Sequence, residues 1–216
     1  MTDEPLDSLR ENIRSFLKVS LPAHLPTVRF VNEQEGDGFR RSLIRFTSPD
    51  GEQIEAFFLL PSSGAPRGAV LALHQHNSQW EIGKSEVTGI IGDRLQAFGP
   101  ALARNGIAVL APDAIGFESR LSQAGEGTSL APSLTKIYSS AEGWLQYYNH
   151  VAYRLVRGDL LMSKLLLDSA AALTVLHQLT KISRLGVVGH SFGGNVALFL
   201  AALDRRVAFA CVSGAL

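Results

Sequence analysis

The chain has 216 residues, 46% hydrophobic and 19% charged, with twenty basic side chains against twenty acidic ones. This supplies the apolar material for a real core and excludes a disordered or low-complexity chain. A formal net charge of zero gives no electrostatic footprint for nucleic acid or an anionic membrane, and a single cysteine, Cys211, excludes an intrachain disulfide.

The N-terminal stretch MTDEPLDSLRENIRSFLKVSLP is acidic from its third residue and lacks the basic start and apolar run of a secretory signal. No run of about 18 apolar residues occurs, so no membrane span is predicted and a cytoplasmic setting is expected. Leu6, Leu9, Ile13, Phe16 and Leu17 recur at helical spacing, which predicts an amphipathic helix within residues 1–25, ended by Pro22 and Pro26. RSLIRFTS and QIEAFFLLP, joined by SPDG, predict an antiparallel hairpin, and PSSGAPRG a polar loop.

Beyond that loop the rhythm changes. GAVLALHQ is a short apolar run of the kind buried on both faces of a sheet. DRLQAFGPALARNG predicts a helix closed by Gly106, with Gly99-Pro100 kinking it or marking its start. IAVLAPD predicts a second buried strand. A polar insertion near the site follows over about residues 114–150. DLLMSKLLLDSAAALTVLHQLT predicts a long helix, RLGVVGH a strand, GGNVALFLAALD a helix and RVAFACVSG a strand. Strands alternating with helices predict an α/β fold: a mostly parallel sheet with flanking helices, led in by the hairpin, in a single domain over residues 1–216.

GVVGHSFGGN, Gly186 to Asn195, carries the pattern G-x-S-x-G between a buried strand and a helix, the context that gives this pattern meaning. A nucleophile at the tip of so tight a turn needs strained backbone and close packing, and Gly189, Gly193 and Gly194 leave room for both. Ser191 is therefore the candidate nucleophile. The helix that follows aims its N-terminal amides at developing negative charge, so the Phe192 N–H is a candidate oxyanion donor. The second donor is expected from the loop HQHNSQWEIGKSE: the N–H of His76, or of neighbouring Gln75.

Two other patterns in that loop are set aside. His74 and His76 alternate like metal ligands but lack a third ligand nearby, so no metal and no cofactor are expected. Gly83-Lys84-Ser85 ends like a phosphate-binding loop, but the required earlier glycine is Ser78. Lys84 and Glu86 are then expected to be ordinary surface charges.

With LALHQHN and GKSE, VLAPDAIGFESR, the helix DLLMSKLLLD and RLGVVGHSFGGNVALFLAALDRRV quoted, the sequence resembles the α/β-hydrolase superfamily. More narrowly it resembles its dienelactone hydrolase-like and acetylxylan esterase-like branch, from about the hairpin to the end. The elbow is generic to the superfamily; the HQHN and APDAIGFESR segments are more specific to the branch. The resemblance implies a cofactor-free hydrolase of small carboxylic esters or a related acyl-transfer enzyme, with Ser191 at the nucleophile position and the amides of Phe192 and His76 at the oxyanion positions. Dienelactone hydrolases proper carry cysteine at the elbow, so simple ester cleavage is the better expectation here. Cys211, inside an apolar strand, is expected to be inert core.

The elbow lacks its usual helpers. In this fold the chain order is serine, acid, histidine. After Ser191 the only acid is Asp204, at the far end of the following helix and about 20 Å away at 1.5 Å per residue. All six histidines, His24, His74, His76, His150, His177 and His190, precede the serine. Of these, His76 and His150 are the ones topology leaves within reach as a recruited base. The last strand also lacks a covering helix or an outer partner, and an open apolar edge is an aggregation hazard. Three readings stay open. The chain is part of a longer, C-terminally extended hydrolase whose remainder supplies acid and histidine; a partner chain or second copy completes the sheet; or the protein is a non-catalytic relic that binds a ligand or protein. The open edge favours the first, and weak or no turnover is expected of the 216 residues alone. Trp144, Tyr147 and Tyr148 are candidates for lining the substrate pocket.

Overall fold

The computed structural model describes residues 4–21, 23, 25–121 and 140–215; Pro22, His24 and the middle of the predicted insertion lie outside them. The strands are β1 Val28–Glu35, β2 Phe39–Thr47, β3 Gln53–Pro61, β4 Gly68–Leu73, β5 Ile107–Pro112, β6 Leu185–His190 and β7 Val207–Ser213. The helices are α1 Glu4–Leu17, α2 Lys84–Val87, α3 Phe98–Arg104, α4 Ser140–Val156, α5 Leu161–Thr180 and α6 Phe192–Leu203. All seven strands form one sheet in the order β1-β2-β3-β5-β4-β6-β7. The block β5-β4-β6-β7 is parallel, and β1, β2 and β3 extend it antiparallel.

The apolar runs explain the centre. β4, β5 and β6 are almost wholly buried because helices cover both faces of the parallel block. On one face Leu166, Leu173 and Leu176 of α5 and Val196 and Leu200 of α6 join Leu71, Leu110 and Val187 of the sheet. On the other, Ala103 of α3 and Val87 of α2 pack on Leu59, Ala72 and Val109. The parallel strands end together, which brings the loops after β4, β5 and β6 to one edge, the usual place for a site in such a sheet.

Several local expectations change. β1, VRFVNEQE, is an exposed edge strand with a register shift between Phe30 and Asn32, so it shows neither alternation nor an apolar run. α1 stops at Leu17, ahead of both prolines. Its stop is backbone: Lys18 takes φ 51° and the Val19 N–H reaches back to the Arg14 carbonyl at 3.0 Å, a Schellman-type closure. Gly99-Pro100 marks a helix start, since only a 3₁₀ turn over Arg94–Gln96 precedes α3. The later part of the insertion is the helix α4. β7 is the edge strand, as expected, but its faces are exposed and so is Cys211, which corrects the expectation of a core thiol. Among the described residues no strand pairs with its outer side.

Candidate active site

β6 delivers Ser191 to the start of α6 with φ 52° and ψ −117°. Lys181, another positive-φ residue, sits at φ 61° and ψ 12°, an ordinary left-handed helix cap. Ser191 lies well outside that well, in a region a side chain occupies only when its surroundings hold it there. They do. Its N–H donates to the Ser213 carbonyl at 2.8 Å, and its carbonyl accepts from Asn195 at 3.0 Å. A Cβ on Gly189 would lie 2.2 Å from the Gly193 carbonyl oxygen, and one on Gly193 would lie 2.3 Å from that of Leu73. Only hydrogen fits at either position. On Gly194 a Cβ would meet the Ser213 carbonyl oxygen at 2.9 Å.

The Gly193 contact also joins the elbow to the loop after β4. In that loop His74 is buried, 2% exposed, and His76 is half-buried. The His76 ring stands edge-on to Trp80, Phe117, Tyr147 and Phe192, with centroids 4.2 to 5.9 Å away. Its Nδ1 accepts the Ser78 N–H at 3.0 Å. Burial, helped by neighbouring His74, lowers the His76 pKa and favours the neutral ring. Tyr147 comes from α4, which docks where Gly143 meets Trp80: a Cβ there would lie 1.9 Å from the indole Cδ1. Trp144 and Tyr148 form their own pair on α4, largely exposed, with centroids 4.5 Å apart. Of the three aromatics expected to line the site, only Tyr147 joins this cluster.

Behind the loop lies a group of charges that the sequence reading misplaced. Lys84 and Glu86 are each 3% exposed. The Lys84 ammonium is 2.7 Å from Asp113, 2.6 Å from Glu118 and 3.6 Å from Glu55. Asp113 also accepts the Lys84 and Ser119 N–H groups, and Glu118 those of Gly83 and Ser85. Glu86 takes Gln75 Nε2 at 3.1 Å and the Asp93 N–H at 3.2 Å. Burial pushes the Glu118 carboxyl up, but Lys84 and the Ser85 donors outweigh it and hold it low. Burial and then Glu118 push Asp113 the other way, above its usual range. The partners sit at positions 55, 113 and 118, too far apart in sequence for a local pattern to reveal. Among the described residues no group of three or more His, Cys, Asp or Glu is arranged to hold a metal ion.

Among the described residues no base is joined to Ser191. Among the described residues Ser191 Oγ makes no hydrogen bond. His190 Nδ1 is 3.1 Å from Ser213 Oγ. His150 packs against Gly116 beside Glu52, Arg120 and Arg154, and burial lowers its pKa. His177 is exposed beside the Ile182 carbonyl near the far end of α5. Asp204 caps the opposite end of α6 and binds the Arg206 guanidinium at 2.6 Å, so it is a helix-end residue as expected. A cavity of about 750 Å³ also lies at that far end, between Arg14, Leu203 and Arg206. It is remote from the elbow.

The overall shape has close counterparts. A candidate acetyl xylan esterase of Bacteroides fragilis superposes with a TM-score of 0.66 over 94% of this chain, at 18% identity. Acetyl xylan esterase 1 of a Thermoanaerobacterium species gives 0.58 over 99%, also at 18% identity. The chain has the α/β-hydrolase fold. In sequence this α/β-hydrolase-fold chain is 29% identical over 160 residues, 72% of its length, to YtaP of Bacillus subtilis (strain 168), a candidate hydrolase. No protein-family model matches. The chain spans 46% of the curated relative and 51% and 59% of the two solved structures.

Proposed function

We propose that the protein is a serine hydrolase of small carboxylic esters, with Ser191 as nucleophile. The observation that carries this reading is the Ser191 backbone, φ 52° and ψ −117°, at a strand-to-helix turn. Strain of that kind persists where it presents a side chain for chemistry. The esterase names of the structural neighbours support the reaction class.

In the reaction Ser191 Oγ attacks the ester carbonyl carbon. The serine proton passes to a base and then to the departing alkoxide, which leaves as the alcohol. The oxyanion is held by the N–H groups of Phe192 and His76. Water attacks the acyl-serine, releases the carboxylic acid and restores the hydroxyl. The base and its orienting acid come from polypeptide outside the described residues, because no described histidine is hydrogen-bonded to Ser191. The 216 residues alone then turn over slowly or not at all, with the residue of catalysis that an oxyanion hole retains.

The natural full-length gene product is expected to hydrolyse p-nitrophenyl acetate, and Ser191→Ala to lower kcat/KM by about 10⁴-fold or more. A serine-directed phosphonate should label Ser191 in the wild type. The unbonded Ser191 Oγ is also what a non-catalytic binding protein on this fold presents. Absence of both hydrolysis and labelling in the full-length protein decides for that second reading.

A further inference from the structure

His74 uses both ring nitrogens, and its partners fix which one carries the hydrogen. Nε2 lies 3.1 Å from the Ala114 backbone N–H, which can only donate. Nδ1 lies 2.8 Å from the Gln75 carbonyl oxygen, which can only accept. The ring is therefore the tautomer with hydrogen on Nδ1. It is also clamped: a Cβ on Gly83 would sit 3.1 Å from Nε2, the Phe117 ring stands edge-on at 4.9 Å, and the His74 carbonyl abuts Gly193. The Gln75 carbonyl and the His76 N–H belong to one trans peptide unit, so they point in opposite directions in one plane. A donor that anchors the carbonyl aims the amide.

We infer that His74 is the positioning residue of the oxyanion hole: by holding the Gln75 carbonyl it turns the His76 N–H away from the buried ring, toward the open side of the loop. The inference rests on the esterase reading. It gives an otherwise unused buried histidine a task, and it assigns the oxyanion amide to His76 over Gln75, whose peptide unit is not the one the His74 ring holds.

The test uses the natural full-length protein, labelled with ¹⁵N for one arm. Wild-type His74 should show hydrogen on Nδ1 in its imidazole ¹⁵N spectrum; hydrogen on Nε2 overturns the inference. His74→Gln places an amide near Nε2 and loses the Nδ1 donor, whereas His74→Asn keeps a donor at the Nδ1 position. His74→Gln should lower kcat about 30-fold with KM within about twofold, a fraction of the loss for deleting an oxyanion donor. His74→Asn should recover most of that loss at a similar thermal midpoint. Equal kcat in the two variants, or losses that follow their melting temperatures, overturns the positioning role. Should the wild type prove inactive and unlabelled, the esterase reading fails by itself. The His76 amide resonance still decides: a shift in His74→Gln that His74→Asn reverses supports the anchor, and no shift removes it.

Discussion

The two rims of the site are built on opposite principles. The loops after β4 and β5 are tied by buried charge: Lys84 reaches Asp113 and Glu118, and backbone amides together with the Ser85 and Ser119 hydroxyls donate to both carboxylates. The rim after β6 and β7 has backbone contacts and little else. Ser191 N–H meets Ser213, His190 meets Ser213 Oγ, and β7 beyond them is exposed. The first rim is overdetermined and holds amides; the second holds Ser191 by steric necessity and leaves its hydroxyl unbonded. Placement of the loop amides and placement of the Ser191 hydroxyl are thus separate tasks in this sheet.

That contrast can be broken most strongly at Lys84. Lys84→Met leaves Asp113 and Glu118 buried without their cation and should cost about 3–5 kcal/mol in urea unfolding. A loss under about 1 kcal/mol would mean that the cluster holds nothing. Next comes Gly193→Ala, which drives a methyl into the Leu73 and His74 carbonyls. It should cost about 1–3 kcal/mol and abolish phosphonate labelling of Ser191 in the full-length protein, since the elbow must open.

Acid sharpens the comparison from another direction. Asp50 and Glu52, in the β2–β3 turn, surround the buried Lys164 together with Asp168. Burial raises both carboxyls, but Lys164, joined for Glu52 by Arg120, more than reverses this and leaves them below their ordinary values of 3.8 and 4.5. A lowered folded pKa means stability that is present above the unfolded pKa and lost as pH falls through the folded one. Thermal midpoints should therefore fall below about pH 4.5, and less so in Lys164→Met. The smallest effect belongs to the open rim. Phe209 is 55% exposed, its ring lying over Gly186, and Phe209→Ser should cost less than about 1 kcal/mol by equilibrium unfolding.

Legibility in the sequence follows the same division. β4, β5 and β6 could be read because a strand buried on both faces must be apolar throughout. Ser191 could be read because a strand-to-helix serine turn needs glycines at fixed offsets, and Gly189 and Gly193 each prove to have no space for a Cβ. β1 could not, because an edge strand facing water carries no period. Lys84 could not, because a lysine alone looks solvated and its three carboxylates arrive only through folding. Cys211 misled for the converse reason: an apolar strand predicts burial, but burial also needs a neighbour. His74 was visible as a histidine near the site, yet its role depends on Ala114, forty residues on.

The Gly193 contact has a consequence for how such proteins diverge. Backbone from residue 73 and backbone from residue 193 touch through a missing side chain, so the spacing between the two rims is written in peptide geometry. Side chains around it are free to drift. The fold itself tolerates wide rewriting of side chains, as the 18% identity to two esterase structures of similar fold illustrates. In this chain the distance between two stretches of main chain is carried by one hydrogen atom where any other residue would bring a carbon.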